Sequence, residues 1–337
     1  MIKLFILTNS AGAIPQKILE TESISVEVIS SYFKSKSAEV IVLTYDQFIT
    51  KYGEFRNEIR DSFFIYASSQ HPTYYSAIED VLLFIERSGG ILIPDFIHFR
   101  AHENKYLQEM IKAELNISTP GSYLISSIEE GHSKILNLKF PIVAKLASGF
   151  GSNFVKLLKN EKEAEKYLAD NLTAVIKTRK NFIKYRNKVN EYRNKHPLKV
   201  GKIIFQDFID EIENDWKILI FGNRLFYLKR YFKENDFRAS GSGNFDNKTA
   251  PDKKLLEFAM SVKIKLNTPW VSLDIIQKND LLYLIEYQCV HFGLYTAMKS
   301  IKHFEYINGK FEEFNGQTDI DRIFAEELYS FITGYNI

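Results

Sequence analysis

The sequence has only one cysteine, Cys289, and no apolar run long enough to cross a membrane. A single cysteine cannot form an internal disulfide, and the absence of any C-x-x-C pair also favours a reducing compartment. A membrane-spanning helix needs about 18 consecutive apolar residues, and no stretch of the sequence is that long, so such a helix is excluded. The short apolar segment Ile2–Leu7 lacks a cleavage site of small residues, so it predicts a buried strand and not a signal peptide. We therefore expect a cytoplasmic protein.

The chain also lacks an excess of charge of either sign. Its 44 lysines and arginines nearly balance its 42 aspartates and glutamates, giving a net charge of +2 at pH 7. The overall charge therefore gives no reason to expect a nucleic-acid partner. Apolar residues make up 45% of the chain, which is enough for a sizeable core. The length of 337 residues predicts two or three packed units.

Short apolar runs alternate with amphipathic stretches over the first 120 residues. The predicted strands are Ile2–Leu7, Glu39–Leu43, Phe63–Ala67 and Gly90–Pro94, and the predicted helices are Ser76–Arg87 and Ala101–Leu115. Alternation of this kind predicts a small parallel sheet covered by helices. Pro120 follows the second helix and stops it.

The middle of the chain follows a different pattern. A predicted strand, Lys139–Leu146, runs into the glycine-rich loop Ser148–Asn153, and Phe154–Leu158 predicts a second strand. Strand, turn and strand make a hairpin and not the strand–turn–helix of a dinucleotide fold. Segment 177–202 then carries ten lysines or arginines and one acid, and its spacing predicts an amphipathic helix with a basic outer face. Both a solvated surface helix and a polyanion site fit that segment.

A predicted hairpin in the last third places two acids opposite one another. Asp274 lies on the first strand, Glu286 on the second, and Gln288 shares the face of Glu286 because strand side chains repeat every second residue. Two facing carboxylates need a counter-charge or a proton. Oxygen ligands of this kind suit magnesium, although a surface hairpin with two solvated acids is the alternative.

Three further segments can bind a nucleotide. Lys145 precedes the glycine-rich loop, whose backbone N–H groups can cover phosphates, although the loop is not a Walker A sequence. The apolar segment Gln206–Ile209 can bind adenine through its backbone amides. Arg238, in Asp236-Phe-Arg, stands beside a second glycine loop and suits a transferring phosphoryl group.

Taken in order, these elements resemble the ATP-grasp superfamily, nearest to the branch of glutathione synthetases and ribosomal-protein glutamate ligases. The resemblance covers about residues 100 to 295. It implies an α/β (α+β) ATP-grasp fold in three parts: a small parallel-sheet N-terminal domain at 1–120, a central lid subdomain at 121–205 that contains the basic insertion 177–202, and a C-terminal antiparallel ATP-binding subdomain at 206–337.

The resemblance also implies roles for individual residues. The implied ATP-binding residues are Lys105, Lys145, Ser148, Gly149, Gly151, Ser152, Gln206, Asp207, Phe208, Ile209, Asp215, Lys217 and Arg238. Arg238 and Lys145 would be the catalytic residues, and Asp274, Glu286 and Gln288 would hold one or two magnesium ions. The implied substrate contacts are Arg230, Ser240, Gly241 and His291.

Two residues depart from the family pattern. Gln288 stands where asparagine is usual, and its extra methylene would move a second metal ion. Lys217 stands where arginine is usual and lacks the planar fork for bidentate recognition. Elsewhere, His98 and His102 fit loop histidines or a substrate contact better than a metal pair, and Cys289 fits a buried thiol better than a nucleophile.

The expected function is that of an ATP-dependent carboxylate–amine ligase, which joins its substrates through an acyl-phosphate and releases ADP and phosphate. ATP and magnesium are the expected cofactors, and the expected partners are small-molecule or peptide carboxylates and amines. An acidic acceptor at segment 177–202 and a homo-oligomer are further options. A small-molecule kinase on the same scaffold and a non-catalytic nucleotide-binding module are the alternatives.

Overall fold

The computed structural model describes residues 1–16, 22–148, 155–174, 197, 199–233, 236–238 and 243–335. The chain divides into two compact units. The first unit contains residues 1–102 and 213–337, and the second contains residues 103–212. Within the described ranges, no helix combines the length and the apolar character that crossing a bilayer requires.

The N-terminal part of the first unit alternates strands and helices. Its elements are β1 (Lys3–Thr8), β2 (Ile14–Pro15), β3 (Ser23–Ile24), α1 (Val26–Ser35), β4 (Glu39–Thr44), α2 (Tyr45–Phe55), β5 (Phe63–Tyr66), α3 (Pro72–Arg87), β6 (Ile91–Ile93) and α4 (Phe96–Ala101). Strands β4, β1, β5 and β6 form a parallel sheet in that order, which confirms the prediction for this region.

The side chains of β1 alternate between the two faces of this sheet, as the period of two in a strand requires. Leu4 and Ile6 pack in one apolar cluster with Phe33 of α1. Phe5 and Leu7 pack in a second cluster that includes buried side chains of α2 and α3. Both faces are therefore covered, which is the usual condition of a parallel sheet.

The predicted helix Ala101–Leu115 is interrupted in the structure, because His102, Glu103 and Asn104 are not helical. Helix α4 ends at Ala101, and Glu103 has a φ of 55°, a left-handed conformation that no α-helix contains. The next helix is capped by Asn104, whose side chain accepts a hydrogen bond from the backbone N–H of Leu107. It begins at Lys105.

The second unit is built on an antiparallel sheet. Its elements are α5 (Lys105–Glu114), β7 (Ser122–Ser127), α6 (Ile128–Ile135), β8 (Ile142–Leu146), β9 (Lys156–Leu158), α7 (Glu161–Asn171), β10 (Thr173–Ala174) and β11 (Lys199–Asp207). Strands β8 and β9 pair antiparallel, as the hairpin prediction required. The predicted basic helix lies mostly outside the described residues, and its last residues, from Lys199, belong to β11 and not to a helix.

The C-terminal part of the first unit carries a second antiparallel sheet. Its elements are β12 (Asn214–Phe221), β13 (Arg224–Tyr231), β14 (Phe245–Asp246), α8 (Lys253–Lys265), β15 (Trp270–Lys278), β16 (Leu281–Gln288), α9 (Tyr295–Lys299), β17 (Lys302–Ile307), β18 (Lys310–Asn315) and α10 (Ile320–Thr333). The order is β16, β15, β12, β13, β17 and β18, with β14 paired to β13. The mixed α/β class is confirmed, and the predicted boundaries of the three domains stay a prediction.

Candidate active site

Charged side chains form a row across four neighbouring strands of the C-terminal sheet. Asp215 of β12 is the direct partner of Arg230 on β13, and Lys217 of β12 is the direct partner of Asp274 on β15. Asp274 is in turn the direct partner of Glu286 on β16. Direct partners and residues two apart share a face of the sheet. We call these five residues the charged row.

Arg230 binds two carboxylates of the charged row at once. Its Nε and Nη2 donate to the two oxygens of Asp215 at 2.7 and 2.6 Å. The same Nη2 lies 3.0 Å from Oδ2 of Asp274, and Nζ of Lys217 lies 3.3 Å from Oδ1 of Asp274. The side chain of Arg230 is only 8% exposed, so these bonds replace most of its contact with water.

The carboxylate of Asp274 is therefore held in its ionised form. Burial raises its pKa, but Arg230 and Lys217 outweigh burial and lower the pKa to about 2. These two cations supply the counter-charge that two facing acids need.

The hairpin of β15 and β16 confirms the predicted pairing of Asp274 with Glu286. Both residues are half-buried, as is Gln288, which pairs with Ser272. In the part of the chain that the structure describes, no three His, Cys, Asp or Glu side chains cluster as a metal site. The predicted set has two carboxylates and one amide oxygen, a donor set whose chemistry fits magnesium. Its role as a metal site stays a prediction.

Arg238 lies in the loop that follows β13. Its Nε and Nη2 donate to the two carboxylate oxygens of Asp236 at 2.9 and 2.8 Å, and this bonding lowers the pKa of Asp236. The pair holds the guanidinium close to the loop backbone, because Oδ1 of Asp236 also accepts the backbone N–H of Arg238. The predicted contacts Ser240 and Gly241 lie outside the described residues.

His291 follows β16 in the first unit and is buried. Burial lowers its pKa to about 4, against a smaller opposing effect of the Ser68 backbone, so the ring is neutral at pH 7. It packs edge-on against the ring of His102, with the ring centres 5.0 Å apart. His98 bonds the backbone oxygen of Leu266 at 2.8 Å. Cys289 is buried, which raises the pKa of its thiol.

The other predicted residues belong to the second unit. Lys145 of β8 is buried, and its Nζ donates to Oε1 of Gln206 on β11 at 2.6 Å. The backbone N–H of Lys105 donates to the oxygen of Ala147, which places the start of α5 beside the end of β8. Ser148 is exposed at that strand end. The predicted Gly149, Gly151 and Ser152 lie outside the described residues.

Gln206 and Asp207 are the last two residues of strand β11, and Phe208 and Ile209 follow it. Gln206 is buried, and the other three residues are half-buried. The backbone N–H of Asp207 donates to the oxygen of Gly121 at 2.8 Å. A Cβ on Gly121 would clash with Oδ2 of Asp207, so a larger residue here requires the Asp207 side chain to shift.

Sequence reasoning missed two residues of the second unit, Glu109 and Lys112. Both are buried; the amide nitrogen of Gln206 lies 3.4 Å from Oε1 of Glu109, and Nζ of Lys112 donates to the same oxygen. Their spacing of three places them on one face of α5, but an acid and a lysine at that spacing are ordinary on a solvated helix. The packing of α5 against β11, which no local pattern predicts, brings them to Gln206.

Comparison with known proteins adds independent observations. A family model described as a RimK-like ATP-grasp domain matches residues 102–302. No curated protein matches.

Several solved structures share the fold. A RimK domain ATP-grasp protein from Sphaerobacter thermophilus is 10% identical, with a TM-score of 0.52 over 97% of this chain and 99% of the other. D-alanine–D-alanine ligase from Bacillus anthracis is 14% identical, with a TM-score of 0.52 over 99% and 96%. A RiPP-associated ATP-grasp ligase from Chryseobacterium gregarium, in complex with ADP and a leader and core peptide, is 13% identical, with a TM-score of 0.53 over 98% and 97%.

Proposed function

This chain belongs to the RimK-like ATP-grasp family, whose members are ATP-using ligases that form carbon–nitrogen bonds, and we propose that it joins a carboxylate to an amine through an acyl-phosphate. The observation that carries the proposal is the charged row, where Asp274 faces Glu286 beside Arg230 and Lys217. Three carboxylates and two cations on one sheet face are suited to a metal-bound polyphosphate, because carboxylates can bind the metal ion and cations can bind the phosphates.

The second unit supplies the proposed contacts with the base and the inner phosphates. Lys145 is a point charge for the α- and β-phosphates, and Lys105, at the start of α5, is a second one. Gln206 and Asp207 frame the adenine, with Phe208 and Ile209 packing against it. The hydrogen bond from Lys145 to Gln206 supports this assignment, because it keeps the phosphate-binding and base-binding side chains in one fixed arrangement.

The first unit supplies the proposed contacts with the reacting groups. Asp274, Glu286 and Gln288 would hold one or two magnesium ions, which neutralise phosphate charge when bound. Arg238 stabilises the charge that develops on the transferred phosphoryl group. Asp236 keeps the guanidinium in place, so little reorganisation is needed during the reaction. Arg230 and Lys217 lower the pKa of Asp274 to about 2, so its carboxylate is ionised at pH 7.

The proposed reaction has two steps. A carboxylate oxygen of the first substrate attacks the γ-phosphorus, the bond from that phosphorus to ADP breaks, and an acyl-phosphate forms. The nitrogen of an amine then attacks the acyl carbon, phosphate leaves, and the proton of the amine passes to solvent. Catalysis here is mainly positioning and charge stabilisation.

The proposed substrates are small-molecule or peptide carboxylates and amines. Two structural neighbours, a D-alanine–D-alanine ligase and a ligase in complex with a leader and core peptide, represent these two substrate classes and support the proposal. An acidic acceptor for the basic segment 177–202 and a cytoplasmic location both stay proposals from the sequence.

The test is to incubate the purified protein with ATP, magnesium and a mixture of amino acids and sugar acids. We expect amide products together with ADP and phosphate. A stable phosphorylated product would instead indicate a kinase, and nucleotide binding without turnover would indicate a non-catalytic module.

Two carboxylate variants test the metal assignment. Asp274→Asn and Glu286→Gln should abolish turnover and leave the circular dichroism spectrum unchanged. Glu312→Gln, which removes an exposed acid of β18, is the matched control and should keep full activity. Wild-type rates in either carboxylate variant would refute the metal assignment.

A further inference from the structure

The second unit contains an ion pair that is almost completely shielded from water. Nζ of Lys112 lies 2.7 Å from Oε1 of Glu109, one turn earlier on α5. The side chains are 0% and 5% exposed. Burying two charges in this way removes them from water, so such a pair is weak evidence for a role in stability alone. The pair therefore calls for another explanation.

Glu109 is also connected to the predicted nucleotide-binding residues. Its Oε2 accepts the hydroxyl of Ser122 at 2.9 Å. The amide nitrogen of Gln206 donates to the oxygen of Ser122 at 3.0 Å and lies 3.4 Å from Oε1 of Glu109. The amide oxygen of Gln206 accepts from Lys145 at 2.6 Å. We call these five residues the buried polar network.

The chemistry of the network permits only one orientation of the Gln206 amide. An ammonium group can only donate hydrogen bonds, and an ionised carboxylate can only accept them. The amide oxygen must therefore face Lys145, and the amide nitrogen must face Glu109. A flipped amide would place its NH₂ group against the ammonium and its oxygen against the carboxylate, so both contacts would become repulsive.

We propose that Glu109, held by Lys112, is a positioning residue for nucleotide binding: it fixes the Gln206 amide, and through that amide it fixes the ammonium of Lys145. Glu109 itself does not touch the nucleotide. This inference rests on the proposed function, in which Lys145 and Gln206 bind ATP. It assigns a binding role to an ion pair on α5 that no sequence motif marks.

The decisive test exchanges the two side-chain types. Glu109→Gln and Gln206→Glu are measured singly and together, with the dissociation constant for a non-hydrolysable ATP analogue and magnesium determined by isothermal titration calorimetry. Each single change should weaken binding by about tenfold. With Glu109→Gln, the amide of Gln206 can adopt either orientation. With Gln206→Glu, the carboxylates at positions 109 and 206 repel each other. With both changes, the amide at position 109 donates to the carboxylate at position 206. Binding should return to within about threefold of wild type.

The control is the double variant Glu130→Gln with Lys134→Met. It removes a salt bridge of α6 in the same unit that contacts neither Lys145 nor Gln206. Its affinity should equal that of wild type. If Glu109→Gln does not fold, because Lys112 loses its charged partner, then Glu109→Gln with Lys112→Met replaces the pair by uncharged side chains of similar volume. That variant should also bind about tenfold more weakly.

The outcomes separate this inference from the proposed function. If wild-type protein binds no nucleotide, the proposed function fails and the inference fails with it. If wild type binds but the single variants bind equally well, or if the effects of the two changes simply add, the inference alone is overturned. A lower melting temperature with unchanged affinity would show that the network is only structural, and that result also overturns it.

Discussion

Replacing Arg230 by methionine should destabilise the protein in a manner that depends on pH. The change removes the shared cation of the charged row and leaves Asp215 and Asp274 as neighbouring, largely buried acids. Removing one partner of a buried ion pair typically costs about 3 to 5 kcal/mol. Lys217 still faces Asp274, and the side chain of Asp274 is 20% exposed, so we expect the lower end, about 3 kcal/mol at pH 7.

The sign of the pH effect follows from the pKa of Asp274. In the native protein that pKa is lowered to about 2, from an ordinary value of about 3.9. A lowered pKa stabilises the folded state above the unfolded-state value, and the contribution disappears as the pH falls through the folded-state value. For Asp274 it amounts to roughly 2 to 3 kcal/mol above about pH 4. Because the unfolded state is the same in both proteins, the difference between wild type and Arg230→Met should shrink as the pH falls below the pKa that Asp274 has in the folded variant, and it should be smallest near pH 2, where Asp274 of the wild type also takes up a proton.

Urea denaturation between about pH 2.5 and pH 8 measures this difference, because carboxyls with ordinary pKa values titrate within that range. The control is Arg322→Met, which removes the same charge from a pair whose arginine side chain is 69% exposed. The control should change the free energy of unfolding by no more than about 0.5 kcal/mol at any pH. An Arg230→Met penalty that is equal at pH 3 and pH 7, or one below about 1 kcal/mol at pH 7, would refute the reasoning.

Three further changes test other parts of the molecule. Lys145→Ala should weaken ATP binding in calorimetry by at least about tenfold, because a charge-assisted contact is lost, and unchanged affinity would contradict the assigned role. Gly121→Ala should lower the free energy of unfolding in urea by about 1 to 3 kcal/mol, since its Cβ would lie 2.3 Å from Oδ2 of Asp207; a neutral result would mean that Asp207 moves freely. Cys289 should not react with a thiol reagent in the native protein and should react once it is unfolded in urea, because the thiol is buried and its pKa is raised; rapid native labelling would contradict that description.

The sequence predicted those features that depend on local periodicity. The parallel strands of residues 1–102 and the two hairpins follow from apolar runs and turn residues, and the facing of Asp274 and Glu286 follows from counting along a hairpin. The break at Glu103 was missed, because the helical pattern of the surrounding residues gives no sign of a left-handed residue there. Asn104, the cap of the next helix, was the available signal.

What the sequence could not predict is which charges meet between distant strands. Arg230 was predicted as a substrate contact and Asp215 as an ATP-binding residue, and the structure adds that the two side chains bind each other. Their pairing depends on the register of β12 and β13, and the shared role of Asp274 depends on the order of three strands. The buried polar network has the same cause, since its members come from one helix and three strands of the second unit.

The contact between the first and last helices of the chain has a consequence for biosynthesis. Phe33 of α1 packs edge-on against Tyr329 of α10, at 5.4 Å between ring centres, and Asp321 accepts the backbone N–H of Ser25 at 2.8 Å across 296 positions of sequence. Before α10 is synthesised, the part of α1 that contacts it, which includes one edge of Phe33, is not covered. A nascent chain therefore exposes apolar surface of α1 until α10 leaves the exit tunnel. We expect chaperones to bind this surface during that interval.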